Sequence, residues 1–155
     1  IESLWEANMD LLDPKIPLDL NDHDWRIYAR NQALPPQYIA SSASVQNSTI
    51  SEGCNVYGTV DFSVLSSDVY VAPGAVVRDS IIMPGARIEE GAVVQYAIVA
   101  TDAVVGAGSV IGERPENMEN KDDWGVAVVG PGCKLPAESN VAPKVMIDAE
   151  EAEKK

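Results

Sequence analysis

Three serines, Ser48, Ser63 and Ser80, are the residues of this 155-residue chain whose type and regular spacing most invite a chemical reading. A serine nucleophile needs a base within hydrogen-bond reach, and the sole histidine, His23, lies outside the segment that carries them. All three recur at one phase of a repeat, as turn or column residues do. Cys54 and Cys133 are too far apart for a CxxC pair, and zinc takes about four ligands at short spacings, so no metal site is predicted. Both cysteines read as small apolar packing residues. The acid pairs Glu89-Glu90 and Asp122-Asp123 fall on predicted turns, where solvated charge is ordinary. The glycines match neither the GxxxxGKS nor the GxGxxG phosphate loop. The sequence therefore predicts no catalytic residue in this chain.

The elements around these residues follow from self-similarity. Val45–Ile50 (VQNSTI), Val60–Leu65 (VDFSVL), Val77–Ile82 (VRDSII) and Val94–Val99 (VQYAIV) align at offsets of 15, 17 and 17 residues. Gly74, Gly91 and Gly108 recur at intervals of 17. Val45, Ile50, Val56, Val60, Leu65, Val71, Val77, Ile82, Ile88, Val94, Val99, Val105 and Ile111 fall five or six apart, with one four-residue step, and all are aliphatic. Neither a helix nor a two-periodic strand has that spacing. A coil of three short strands does, with one inward aliphatic per face and coils stacked about 4.8 Å apart. Gly, Ser, Asn and Asp supply the corners. The predicted fold class is all-β, a hexapeptide-repeat parallel β-helix of about five coils over residues 38–143.

The pattern breaks at 112–125 (GERPENMENKDDWG), read as a loop excursion with Trp124 tucked back, and resumes at Val129, Leu135 and Val141. Residues 144–155 show no apolar period and are expected to be a mobile tail. Ahead of the repeats, Glu2 to Leu12 reads as a helix with Leu4, Trp5, Asn8, Leu11 and Leu12 on one face, ended by Asp13-Pro14. Pro17 to Pro36 reads as an extended linker. Helix and linker together, residues 1–37, look unable to bury their own apolar faces and suggest a missing partner domain.

The formal net charge of −13 argues against nucleic acid and anionic membrane surfaces, both of which attract clustered Lys and Arg. No apolar run is long enough to span a bilayer. The acidic start, Ile1-Glu2-Ser3-Leu4-Trp5-Glu6, does not look like a secretory signal. A cytoplasmic location is expected.

Trp5-Glu6-Ala7-Asn8-Met9-Asp10-Leu11, Asp24-Trp25-Arg26-Ile27-Tyr28, Leu34-Pro35-Pro36 and Asn47-Ser48-Thr49-Ile50-Ser51-Glu52-Gly53-Cys54, followed by Val77-Arg-Asp-Ser-Ile-Ile-Met-Pro-Gly, resemble bacterial glucose-1-phosphate adenylyltransferases in order from Ile1 to about Val141. The resemblance implies several things. The β-helix is left-handed, although the usual crossover rule would give the right-handed form. It is the carboxy-terminal part of an enzyme that joins ATP and glucose 1-phosphate into ADP-glucose and pyrophosphate with Mg²⁺, in glycogen synthesis. The nucleotide loop and metal-binding aspartates lie in an upstream catalytic domain, residues 1–37 carrying that domain's last helix and a linker arm, so the fragment is expected to be inactive alone. The β-helix builds a homo- or hetero-tetramer and helps to enclose a site for anionic sugar-phosphate effectors, which favours converging Lys and Arg. The family's effector positions fall near Arg30, Gln32 and Lys134. Basic residues of some relatives are matched here by Asp68, Tyr70 and Thr101, so a weak or altered response to sugar-phosphate activators is expected. Two other readings compete. A hexapeptide acyltransferase usually needs a histidine within the β-helix, and a purely structural trimerising β-helix would show itself by its mass in solution.

Overall fold

The computed structural model describes residues 1–13, 15, 24, 33–118 and 120–152. The aliphatic repeat folds as expected, into a triangular parallel β-solenoid whose strands are two or three residues long. The first face stacks Tyr38–Ile39, Asn55–Val56, Tyr70–Val71, Arg87–Ile88, Val104–Val105 and Lys134–Leu135 in that order. The second stacks Ser44–Gln46, Thr59–Asp61, Val76–Arg78, Val93–Gln95, Val110–Ile111 and Asn140–Val141. The third stacks Thr49–Ile50, Val64–Leu65, Ile81–Ile82, Ala97–Val99, Ala127–Val129 and Met146–Ile147. Every pairing is parallel and in register, so repeat-equivalent residues sit one above another: Val60 against Val77, Ile88 against Val105, Val99 against Val129. The architecture is that of the left-handed hexapeptide-repeat β-helix, with six rungs per face against the five coils expected.

The interior is the row of aliphatics read from the sequence. Eleven of the thirteen predicted positions, from Val56 to Ile111, are buried, and the other two, Val45 and Ile50, pack partly buried against the same cluster. At about 25 cal/mol for each Å² of apolar surface removed from water, this column is the main source of stability. The corners carry the conformational strain. Gly74, Gly91 and Gly108 hold φ of 72°, 68° and 67°, which glycine adopts without steric cost. Between the second and third faces, residues with side chains take the same conformation: Asn47, Phe62, Asp79 and Tyr96 have φ between 43° and 48°.

Two expectations need correction. Residues from Lys144 onward are not a period-free tail as far as the described residues run. Met146–Ile147 pairs with Val128–Val129 as a sixth rung, and Ala149–Ala152 forms a short helix, α2, whose Ala152 joins the core. Ile147 keeps the six-residue step from Val141, a signal overlooked beneath the flanking charge. The second correction concerns the amino-terminal helix, α1 (Glu2–Asp10). Its buried side is Trp5, Met9 and Leu12: Trp5 and Leu12 lie on it as expected, Met9 joins them, and Leu4 and Leu11, 49% and 37% exposed, do not. Positions 5, 9 and 12 share one helical face by the i, i+4, i+7 rule. They pack on Ile81, Ile98 and Val126 along the outer side of the third face. The helix thus buries one apolar side within the chain itself.

The excursion leaves after Ile111 and returns at Ala127 through two 3₁₀ turns, Pro115–Asn117 and Lys121–Asp123. Trp124 does tuck back: its Nε1 donates to the Glu113 carbonyl at 3.0 Å. No helix among the described residues is long and apolar enough to cross a membrane.

Candidate functional site

The serines are spent on structure. Each hydroxyl donates to the carbonyl two residues earlier, Ser48 to Gln46 (2.6 Å), Ser63 to Asp61 (2.8 Å) and Ser80 to Arg78 (2.6 Å). Each also accepts an amide from the next coil: Ser63 N–H to Ser48 Oγ (3.1 Å), Ser80 N–H to Ser63 Oγ (3.2 Å) and Ala97 N–H to Ser80 Oγ (3.2 Å). This ladder runs up the corner where Asn47, Phe62, Asp79 and Tyr96 hold left-handed conformations. It gives acceptors to the amides that the corner removes from strand pairing. A hydroxyl with donor and acceptor both engaged and no base nearby is not a nucleophile. The thiols of Cys54 and Cys133 are buried, which raises the pKa of each above the ordinary cysteine value, and neither is activated as a thiolate.

Of the predicted effector positions, Arg30 and Gln32 lie outside the described residues. Lys134 is exposed on the first face, two rungs from Arg87 with Val104 between. Tyr70 belongs to an arrangement that the motif reading missed. Tyr38, Tyr57 and Tyr70 touch in sequence with ring centroids 5.8 and 5.7 Å apart. The Arg87 guanidinium lies 4.4 Å from the Tyr70 ring centre, and Arg87 Nε meets Glu89 Oε1 at 3.3 Å. Arg87 follows Tyr70 by 17 residues and pairs with it in register. The repeat offset was the signal that could have placed the two side by side.

A second cluster joins α1, the corner and the excursion. Trp5 lies 5.7 Å from Tyr96 and 6.3 Å from Trp124, while Tyr96 and Trp124 meet edge-on at 5.4 Å. Trp5 Nε1 donates to the Asp79 carbonyl at 2.7 Å. Burial pushes the Asp79 carboxyl above the usual carboxylate range against the opposing pull of Arg114, with Asp61 and Glu116 adding to the rise. Burial likewise raises the Tyr96 phenol. Three aromatics from three segments make a fixed contact rather than an open pocket. Its chemistry is adhesion, α1 being held to the solenoid and the excursion to α1. Among the described residues, no group of three or more His, Cys, Asp or Glu side chains stands close enough together to hold a metal ion.

A triangular solenoid with an apolar column and glycine or left-handed corners defines a hexapeptide-repeat domain, and residues 36–130 match the family described as GlmU-like, C-terminal hexapeptide. The chain belongs to that family. Its relatives include the glucose-1-phosphate adenylyltransferases of Bacillus anthracis, Bacillus thuringiensis (strain Al Hakam) and Bacillus mycoides (strain KBAB4). Each is 50% identical over 123 residues, covering 79% of this chain and 32% of the relative. The chain therefore spans about a third of the length of these relatives.

Proposed function

We propose that this chain is the carboxy-terminal oligomerisation and regulatory portion of a cytoplasmic glucose-1-phosphate adenylyltransferase, which forms ADP-glucose and pyrophosphate from ATP and glucose 1-phosphate for glycogen synthesis. The observation that carries the reading is the 50% identity over 123 residues to enzymes of that name, of whose length this chain spans 32%. The geometry agrees. The repeat serines Ser48, Ser63 and Ser80 are engaged in the corner ladder and both cysteines are buried, which supports placing the chemistry in the remainder of a longer polypeptide. Mg²⁺, which that reaction uses, finds no ligand set among the described residues.

The solenoid's part is mechanical. Short strands locked in register make a rigid prism. The Trp5–Tyr96–Trp124 contact fastens α1 to the prism, so a domain preceding α1 would be held at a fixed angle to it. Flat faces suit subunit contacts within a tetramer. Arg30, Gln32 and Lys134 are the residues we assign to anionic effectors. With Asp68, Tyr70 and Thr101 at positions that some relatives make basic, activation by sugar phosphates is weak. The test compares the chain alone with the polypeptide extended upstream by the relatives' remaining length. The extended protein should release pyrophosphate from ATP and glucose 1-phosphate while the chain alone does not. Release by the chain alone, or none by the extended protein, refutes the reading, and strong activation by fructose 1,6-bisphosphate refutes the assignment of a weak effector site.

A further inference from the structure

Where the chain leaves the solenoid at Gly112, a cleft opens between the excursion and the outer side of the second face. Gln95, Glu113, Asn117 and Asn140 line it together with the apolar surfaces of Val110 and Pro143. Its inner wall is held in place. Gln95 Nε2 donates to the Gly112 carbonyl at 3.3 Å, and Trp124 donates to the Glu113 carbonyl. Gly112 has φ of 71°, and a Cβ there would run into the backbone carbonyl of Gln95, so this close approach requires glycine.

The polar groups of the cleft are not used up by the fold. The Asn117 and Asn140 side chains make no hydrogen bond to any described residue, and Gln95 keeps its amide oxygen. Of the nearby cations, Lys144 Nζ donates to the Asp122 carbonyl and Arg114 lies close enough to Asp79 to act on its carboxyl, while Arg78, one rung from Gln95, keeps a buried Nε with no hydrogen-bond partner among the described residues. Three carboxamides and one carboxylate therefore face the opening over an apolar floor.

We propose that this cleft binds a neutral polyhydroxylated ligand of the pyranose type. A carboxamide presents donor and acceptor side by side, and a carboxylate accepts two hydroxyl hydrogens, which suits the alternating donors and acceptors of vicinal hydroxyls. Val110 and Pro143 meet the C–H face of the ring. A phosphate ester would face the Glu113 carboxylate, so the site is distinct in chemistry from one built on Arg30, Gln32 and Lys134, and it stands independently of the enzyme assignment.

The test is a side-chain amide ¹H–¹⁵N titration of the full 155-residue chain with maltose and, in parallel, with inorganic phosphate. Maltose should shift the Gln95, Asn117 and Asn140 amides saturably, and phosphate should not. Asn140→Ala should weaken maltose about tenfold, the loss of one to two hydrogen bonds. Asn117→Ala, on the excursion and away from the strand ladders, should weaken it similarly with the solenoid spectrum unchanged. Absence of a saturable response at about 100 mM maltose, where any binding above about 1.4 kcal/mol would register, overturns the proposal. So does an unchanged response in both variants, or phosphate shifting the same amides.

Discussion

Replacing Ser80 by alanine isolates what the serine ladder contributes. Ser80 is fully buried, as is Ala97, whose N–H has the Ser80 hydroxyl as its acceptor at 3.2 Å. The variant keeps the side-chain volume within one atom but leaves the Ala97 amide unpaired where water does not reach. The Arg78 carbonyl, which loses the hydroxyl, retains the Tyr96 N–H at 3.2 Å and stays satisfied. A buried unsatisfied donor costs about 1–3 kcal/mol and a lost net hydrogen bond about 0.5–1.5 kcal/mol, so Ser80→Ala should destabilise by about 2–3 kcal/mol. Ser48→Ala removes the same chemistry at the first rung, where the hydroxyl is within reach of solvent and water can replace it, so the expected loss is under about 1 kcal/mol. Urea denaturation followed by circular dichroism measures both. Equal midpoints for the two variants, or a Ser80→Ala loss below about 0.5 kcal/mol, would falsify the view that the ladder completes the corner's hydrogen bonding.

Trp5→Ala should free α1 and the excursion together. Amide exchange at residues 2–10 and 112–118 should speed up while the strands stay protected, and continued protection of the excursion would show that the aromatic contact does not hold it. Asp79 carries its proton more tightly folded than unfolded, so the native state binds more protons between the ordinary carboxylate value and the raised one. Stability at this site is therefore present at low pH and lost as pH rises through that window. Asp79→Asn, which also tolerates the left-handed corner, should raise the thermal midpoint at neutral pH and flatten its pH dependence, and a lower midpoint at pH 7 would reverse the sign argued here. Cys54 and Cys133, 1% and 0% exposed, should react with a thiol reagent only at the rate of global unfolding. A burst in native buffer would contradict their burial.

The solenoid was legible because its rule is written once per rung. One inward aliphatic recurs five or six residues later, and thirteen such positions averaged out every local ambiguity. The serines were legible by the same logic, since a residue that recurs with the repeat serves the repeat. Lone features were harder. Met146–Ile147 gave a single six-residue step next to a charged segment and looked like tail. The buried face of α1 was only partly read: Trp5 and Leu12 were placed on it, but Met9 was passed over in favour of Leu4 and Leu11, and only the third face of the solenoid decides among them. Asp79, Tyr96, Trp124 and Trp5 come from three separate segments, and no spacing in the chain announces that they meet. The Tyr70–Arg87 contact lay between these extremes, its 17-residue offset being visible but its chemistry apparent only once the rungs were stacked.

The helix Ala149–Ala152 lies over the mouth of the core, with Ala152 seated among its aliphatics. Parallel rungs contain no instruction to stop, since each offers the next the same row of donors and acceptors. A plug at one end turns an open-ended stack into a ruler, with five steps of about 4.8 Å between the first and sixth rungs. Removing one 17-residue rung would shorten that ruler by a single graduation and leave all three walls in phase, so evolution could set the spacing between whatever sits at its two ends without redesigning either.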